Sequence, residues 1–377
     1  MKKTFSMAVV MVISIAVLLA LPGASLGAES SEGSEESLNR KLEELQIEIE
    51  VLSANVENLE ETMAKSVNVS GYMDAEYIIN DQKGQADGFR THHFSFFLEK
   101  KLYKKWSVFS ELEFEDAPYF EAGSSESGFE FAEGKILLEQ AYMDYTSSPN
   151  LAFRVGRFLT PAGIWNINHY PPFVTTQSRP QHIRHIFPQY LDGFEIHGSV
   201  NIQDFMVNYM GYAANGQGNP GGGDGNEEKA FGGRLEFMVP FMVEIKAGVS
   251  ALSDELNDGT AKSATGVDMQ FRVRWLKIQA EYAQATMDPA EGEAYGSNGY
   301  YVQAQTNIGK LTLFARYDVF NPNDSVPDSE VVVNTGGVNY HWTPTIVSKI
   351  EGNFFDSQSL DSEEDHTLWI VSLALFF

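Results

Sequence analysis

The chain has 377 residues with 26 Lys+Arg against 52 Asp+Glu, and its formal charge of -26 excludes the basic surface that nucleic-acid binding needs. It has no Cys, which excludes disulfide scaffolds, thiolate metal sites, cysteine nucleophiles and lipoprotein anchors. Beyond the first 21 residues no run of 18 apolar residues occurs, so only β-strands could carry the rest of the chain through a membrane.

Lys2 and Lys3 precede an apolar stretch from Met7 to Leu21 and a small-residue region from Pro22 to Ala28, the pattern of a cleaved signal peptide over residues 1–28. The chain is therefore expected to be exported. Residues 29–66 read as a polar spacer followed by a helix with an apolar stripe at Leu38, Leu42, Leu45, Ile49, Leu52, Val56, Leu59 and Met63. Their alternating spacing of four and three is the heptad pattern of a coiled coil. The other positions are mostly polar, so the stripe is expected to be buried by self-association.

After Ser66 the period changes to 2, which marks residues 67–377 as an all-β domain. In one stretch Val267, Met269, Phe271 and Val273 alternate with Asp268, Gln270, Arg272 and Arg274. Sixteen strands are predicted, near 67–79, 91–102, 104–116, 136–146, 150–158, 191–200, 203–213, 230–239, 242–252, 264–274, 276–287, 298–308, 310–319, 329–341, 344–355 and 367–377. Tight turns such as Gly309-Lys310 alternate with long loops rich in Gly, Asp, Asn and Ser. A secreted sandwich would also alternate, but an even strand number with short turns on one rim and long loops on the other points to a 16-stranded antiparallel transmembrane β-barrel. In such a barrel the apolar face meets lipid and the charged face lines a lumen. Trp369, Val371, Leu373, Leu375 and Phe377 share one face, and the terminal aromatic resembles the sorting signal of outer-membrane barrels.

The third long loop, Thr160 to Tyr190, contains no Asp or Glu, where the average composition would place about four. It carries His169, Arg179, His182, Arg184 and His185, with Arg157 at its entrance, and five Pro with Trp165, Tyr170 and Phe173 give it a rigid, packed character. Folded into the lumen it would form a constriction from Arg157, Arg179, His182, Arg184 and His185. Such a basic ring concentrates anions because low-dielectric walls focus its field. Arg154, Arg234, Arg272, Arg274 and Arg316 are candidate pore-lining bases. Alternatively, the loop cations hold the loop against inward carboxylates such as Glu111, Glu113, Glu115, Glu195 and Glu236, and the two roles are compatible. Titration of the histidines would make conductance pH-dependent. With no carboxylate in the loop, neither a metal nor another cofactor is expected.

The segment Gly156-Arg157-Phe158-Leu159-Thr160-Pro161-Ala162-Gly163 resembles the Gly-Lys/Arg-aromatic-x-x-Pro-aromatic-Gly stretch of the phosphate-selective porin family and its relatives, with Leu159 and Ala162 departing from the pattern. The resemblance implies a trimeric sixteen-stranded outer-membrane channel, and some dicarboxylate-favouring relatives are similar in carrying a periplasmic coiled coil. The expected function is an outer-membrane porin passing small hydrophilic solutes by diffusion, with a preference for anions such as phosphate or carboxylates. Its expected partners are those solutes, outer-membrane lipid and two further copies of the chain. The alternatives are a general or cation-preferring porin, or a barrel tethered by its coiled coil. An enzyme is disfavoured because Gly-x-Ser-x-Gly is absent from the mature chain.

Overall fold

The computed structural model describes residues 40–52, 66–122, 129–183, 185–203, 205–216, 226–240, 243–357 and 365–377. The leader predicted over 1–28 lies outside the described residues, and so does much of the heptad stripe. Residues 40–52 form a helix, α1, on which Leu42, Leu45 and Leu52 are exposed. That short unit is separate from the strand-forming one.

All sixteen predicted strands are present. They are β1 (Asn68–Asn80), β2 (Gly88–Tyr103), β3 (Trp106–Ala122), β4 (Phe129–Ser148), β5 (Leu151–Leu159), β6 (Tyr190–Ile202), β7 (Phe205–Ala214) and β8 (Ala230–Pro240). There follow β9 (Val243–Glu255), β10 (Ala261–Val273), β11 (Leu276–Asp288), β12 (Tyr295–Ile308), β13 (Leu311–Asn321), β14 (Val331–Thr343), β15 (Ile346–Ser357) and β16 (His366–Phe376). Each strand pairs with its sequence neighbours, and β1 pairs antiparallel with β16, which closes the barrel. At the seam Gly71 and Phe377 exchange two backbone hydrogen bonds, both 2.9 Å.

Burial is inverted relative to a soluble sandwich. On β13 the buried side chains include Thr312, Arg316 and Asp318, while Leu311, Leu313 and Tyr317 are exposed. An apolar exterior around a polar interior is the arrangement of a membrane barrel. Trp106, Trp275 and Trp342 are exposed beside tight turns, where an amphipathic ring suits a membrane interface.

The boundaries depart from expectation mainly at β3 and β4, which continue to Ala122 and from Phe129 instead of stopping at 116 and starting at 136. Asp116 and Ala117 have φ of 56° and 47°, Gly134 has 68°, and Pro118 lacks an N–H to donate. This irregularity breaks the alternation of side chains without ending the ladder, which resumes at Tyr119↔Glu133.

Candidate functional site

The acid-free loop leaves β5 and returns at β6, yet its partners lie on the opposite wall. Lys349 Nζ of β15 donates to Val174 O at 2.9 Å, and Asn339 Nδ2 of β14 donates to Thr175 O at 2.8 Å. Arg316 of β13 donates to Thr176 Oγ1, Ser178 O and Ser178 Oγ at 2.8, 2.9 and 2.9 Å. In a ring of sixteen strands β13 stands eight places from β5, so the loop crosses the lumen.

Because the loop has no acid, its donors are left to find acceptors on the wall, and they find carboxylates. Gln177 N and Ser178 N donate to Glu351 at 2.6 and 2.9 Å, Trp165 N to Glu281 at 2.9 Å, and Gln181 N to Asp318 at 2.8 Å. Gln177 Nε2 donates to Asp74 and Glu76, each at 2.7 Å. Near the base of the loop Tyr170 OH donates to Glu111 at 3.3 Å, and His169 Nε2 lies 3.1 Å from Glu139 Oε2. Charge-assisted bonds to main-chain N–H groups are stronger than neutral ones, so this arrangement fixes the loop across the pore.

Of the five carboxylates predicted to hold the loop, Glu111 does so, through Tyr170, and the other four have partners on the strands. Glu113 accepts from Tyr72 and Ser95, Glu115 lies 3.8 Å from Lys135, and Glu195 and Glu236 lie 3.4 Å from Arg154 and Arg234. The carboxylates missed from sequence, Asp74, Glu76, Glu139, Glu281, Asp318 and Glu351, stand on the polar faces of β1, β4, β11, β13 and β15. Their signal was an acid at an inward position opposite a loop that has none.

The predicted bases are placed as follows. Arg157 makes a bidentate bridge to Asp192 at 3.0 and 2.7 Å and lies over the Tyr190 ring. Arg154 does the same with Asp144 at 2.8 and 3.0 Å, stacked on Tyr142. Arg234 is buried against Asp268, and Arg316 holds the loop. Arg274 lies in the tight turn between β10 and β11 rather than on a strand. Arg179 sits on the loop within hydrogen-bond distance of Gln189, at 3.4 Å, and Arg184 lies outside the described residues. The three loop histidines do not converge. His169 faces Glu139, the His182 ring lies 6.0 Å from that of Tyr301, and His185 stacks on Phe320.

A second basic group lies beside the loop. Arg272 is the cross-strand partner of Lys277 and of Glu244, and Lys246 stands two register positions further along, on the same face, opposite Gln270. Lys277 lines a cavity of about 260 Å³ with Trp165, Tyr170, Phe173 and Gln279. Arg272 is 57% exposed on its side chain and Lys246 is 29% exposed, with Glu244 as the acid within reach of both, at 3.8 and 3.2 Å. This is a locally positive patch in contact with the lumen.

His182 is 2% exposed, and neither ring nitrogen has a hydrogen-bond partner among the described residues. Burial, reinforced by Arg316, pulls its pKa from 6.5 down to about 3, so the ring is neutral at working pH and carries none of the expected pH-dependent charge. Unfolding exposes a ring that binds a proton below pH 6.5, so stability falls as pH drops from 6.5 towards 3. By pH 5 this amounts to about 2 kcal/mol. A His182→Leu variant should lose that part of its acid sensitivity in unfolding midpoints measured across this window, and an unchanged slope would disprove the assignment.

The profile of the Gram-negative porin family matches residues 15–359. An uncharacterized protein of Aquifex aeolicus (strain VF5) is 24% identical over 365 residues, covering 83% of this chain and 80% of the relative. Among solved structures, an anion-selective porin from Comamonas acidovorans superposes with a TM-score of 0.62 at 13% identity, covering 83% of this chain and 99% of that one. The outer-membrane channel DcaP of Acinetobacter baumannii gives 0.54 at 14% identity, covering 83% and 97%. The trimer form of OmpT of Vibrio cholerae gives 0.55 at 12% identity, covering 83% and 99%. At these identities the shared property is the fold. With its closed barrel, apolar exterior and loop-crossed lumen, the chain belongs to the family of Gram-negative porins, channels of the outer membrane.

Proposed function

We propose that the protein is a passive diffusion channel preferring small anions, phosphate or carboxylates. The observation that carries this reading is the division of charge around the third loop. Loop donors bind wall carboxylates, while Lys277 lines a cavity beside the loop, with Arg272 across the ladder from it and Lys246 next along the same face. A permeating ion near the loop then meets ammonium and guanidinium groups more than free carboxylates. Arg179 and Arg184 of the predicted constriction add to this field. Arg157 is charge-paired and His182 is neutral, so both act on pore shape. The anion-selective porin among the structural relatives supports the reading. We further propose a cleaved leader over 1–28 and a periplasmic spacer and coiled coil over 29–66, the latter supported by the exposed apolar stripe of α1, with three copies per assembly. The trimer form of a structural relative favours that number.

The test is the zero-current potential of single insertions in a planar bilayer under a salt gradient. An anion-sign potential with closures in three equal steps is expected. A cation-sign potential would sink the preference and make the acidic outer loops dominant, and absence of conductance would leave a tethering barrel.

A further inference from the structure

Three carboxylates meet beneath the base of the third loop. Glu111 and Glu113 of β3 are 0% exposed and Glu139 of β4 is 1% exposed, and one oxygen from each lies within 4.8 Å of the others. Glu111 Oε2 accepts from Gln140 Nε2 at 2.8 Å and from Tyr170 OH, and Glu113 Oε2 accepts from Tyr72 OH and from Ser95 Oγ at 2.9 Å. The other oxygen of each, Oε1, is buried with no hydrogen-bond partner among the described residues. No Lys or Arg of the described residues makes an ion pair with Glu111 or Glu113 within 4.0 Å.

Carboxylates this close and this desolvated cannot all stay ionised unless something positive joins them. A single proton shared between two of the carboxylates compensates one charge, whereas a divalent cation bound by one oxygen from each compensates two and joins all three. All donors are hard oxygens, and an irregular set of carboxylates suits calcium, which tolerates flexible coordination by six to eight oxygens, better than magnesium with its strict octahedron. We propose that Glu111, Glu113 and Glu139 form a calcium site that fastens the third loop to the barrel wall. The loop is tied to the same groups, with Tyr170 on Glu111 and both His169 and Gln189 on Glu139. The inference is independent of ion preference, because it concerns what holds the loop and not what passes it.

The experiment uses the full protein in detergent, stripped with EGTA and titrated with CaCl2 by calorimetry. In parallel, Tb3+ replaces calcium and its emission is excited through Tyr72 and Tyr170, whose hydroxyls touch two of the carboxylates. Saturable binding of one ion per chain is expected, with sensitised emission that calcium displaces and an unfolding midpoint that drops in EGTA. Both signals should vanish in a Glu111→Gln/Glu113→Gln variant whose folding is verified by heat-modifiable gel mobility, or in Glu139→Gln if the double variant does not fold. Absence of calcium binding and of sensitised emission in the unaltered protein would overturn the proposal and assign the cluster to protons. So would binding that survives in a folded variant.

Discussion

Replacing Glu351 with alanine is expected to raise single-channel conductance and lower the unfolding midpoint. The carboxylate is fully buried on β15 and accepts Gln177 N, Ser178 N and Asn353 Nδ2 at 2.6, 2.9 and 3.0 Å. Alanine leaves two loop N–H groups buried without an acceptor, at roughly 1–3 kcal/mol each. The loop can relieve that cost by shifting at its far tip, where Gln177 and Ser178 sit, although Arg316, Lys349, Asn339 and the bonds of the Gln177 side chain to Asp74 and Glu76 still hold it, so the release is partial. A released tip widens the lumen. Glu351→Gln keeps one acceptor oxygen and should fall between the two. Bilayer recordings that give the same conductance for Glu351→Ala and the unaltered protein would show that the loop is held elsewhere.

The second large effect is expected from Lys246, Arg272 and Lys277 replaced together by glutamine. A unit charge about 8 Å from a passing ion, at an effective dielectric constant near 40, contributes about 1 kcal/mol, or roughly a fivefold change in local anion concentration. Losing three such charges while Glu244 stays should cut the anion-to-cation permeability ratio by well over tenfold at low salt. The difference should shrink near 1 M salt, where the screening length is about 3 Å. The barrel should fold normally, since Arg272 and Lys246 are partly exposed and their ion-pair partner, Glu244, is itself partly exposed. Unchanged zero-current potentials at low salt would remove this patch from the permeation path.

The barrel was legible in the sequence because its physics is local. A period of 2 with short and long connections in alternation follows from a pleated strand between lipid and water, and every predicted strand exists. The extension of β3 and β4 was hidden because Asp116, Ala117 and Pro118 interrupt the side-chain pattern while the pairing continues. The third loop was also legible, by its lack of acids, but the fate of individual charges was not. Arg154 is neutralised because register places Asp144 and Glu195 on either side of it, and Arg157 because Asp192 is its cross-strand partner. Such neighbours are set by strand register, and a shift of one position would change them. The role of His182 depended in the same way on burial, which the composition of the loop does not reveal.

The seam between β1 and β16 governs when the folding barrel becomes safe from its neighbours. Tyr72 pairs with Phe376, almost the whole length of the barrel domain apart, so this ladder has the largest loop-closure cost in the molecule. Every other ladder joins strands adjacent in the chain and can form as a hairpin. Until this seam closes, β1 and β16 are open edges with unpaired N–H and C=O groups, able to pair with any other unfolded copy. The hairpins can therefore assemble in any order, but protection from aggregation arrives only with that closure.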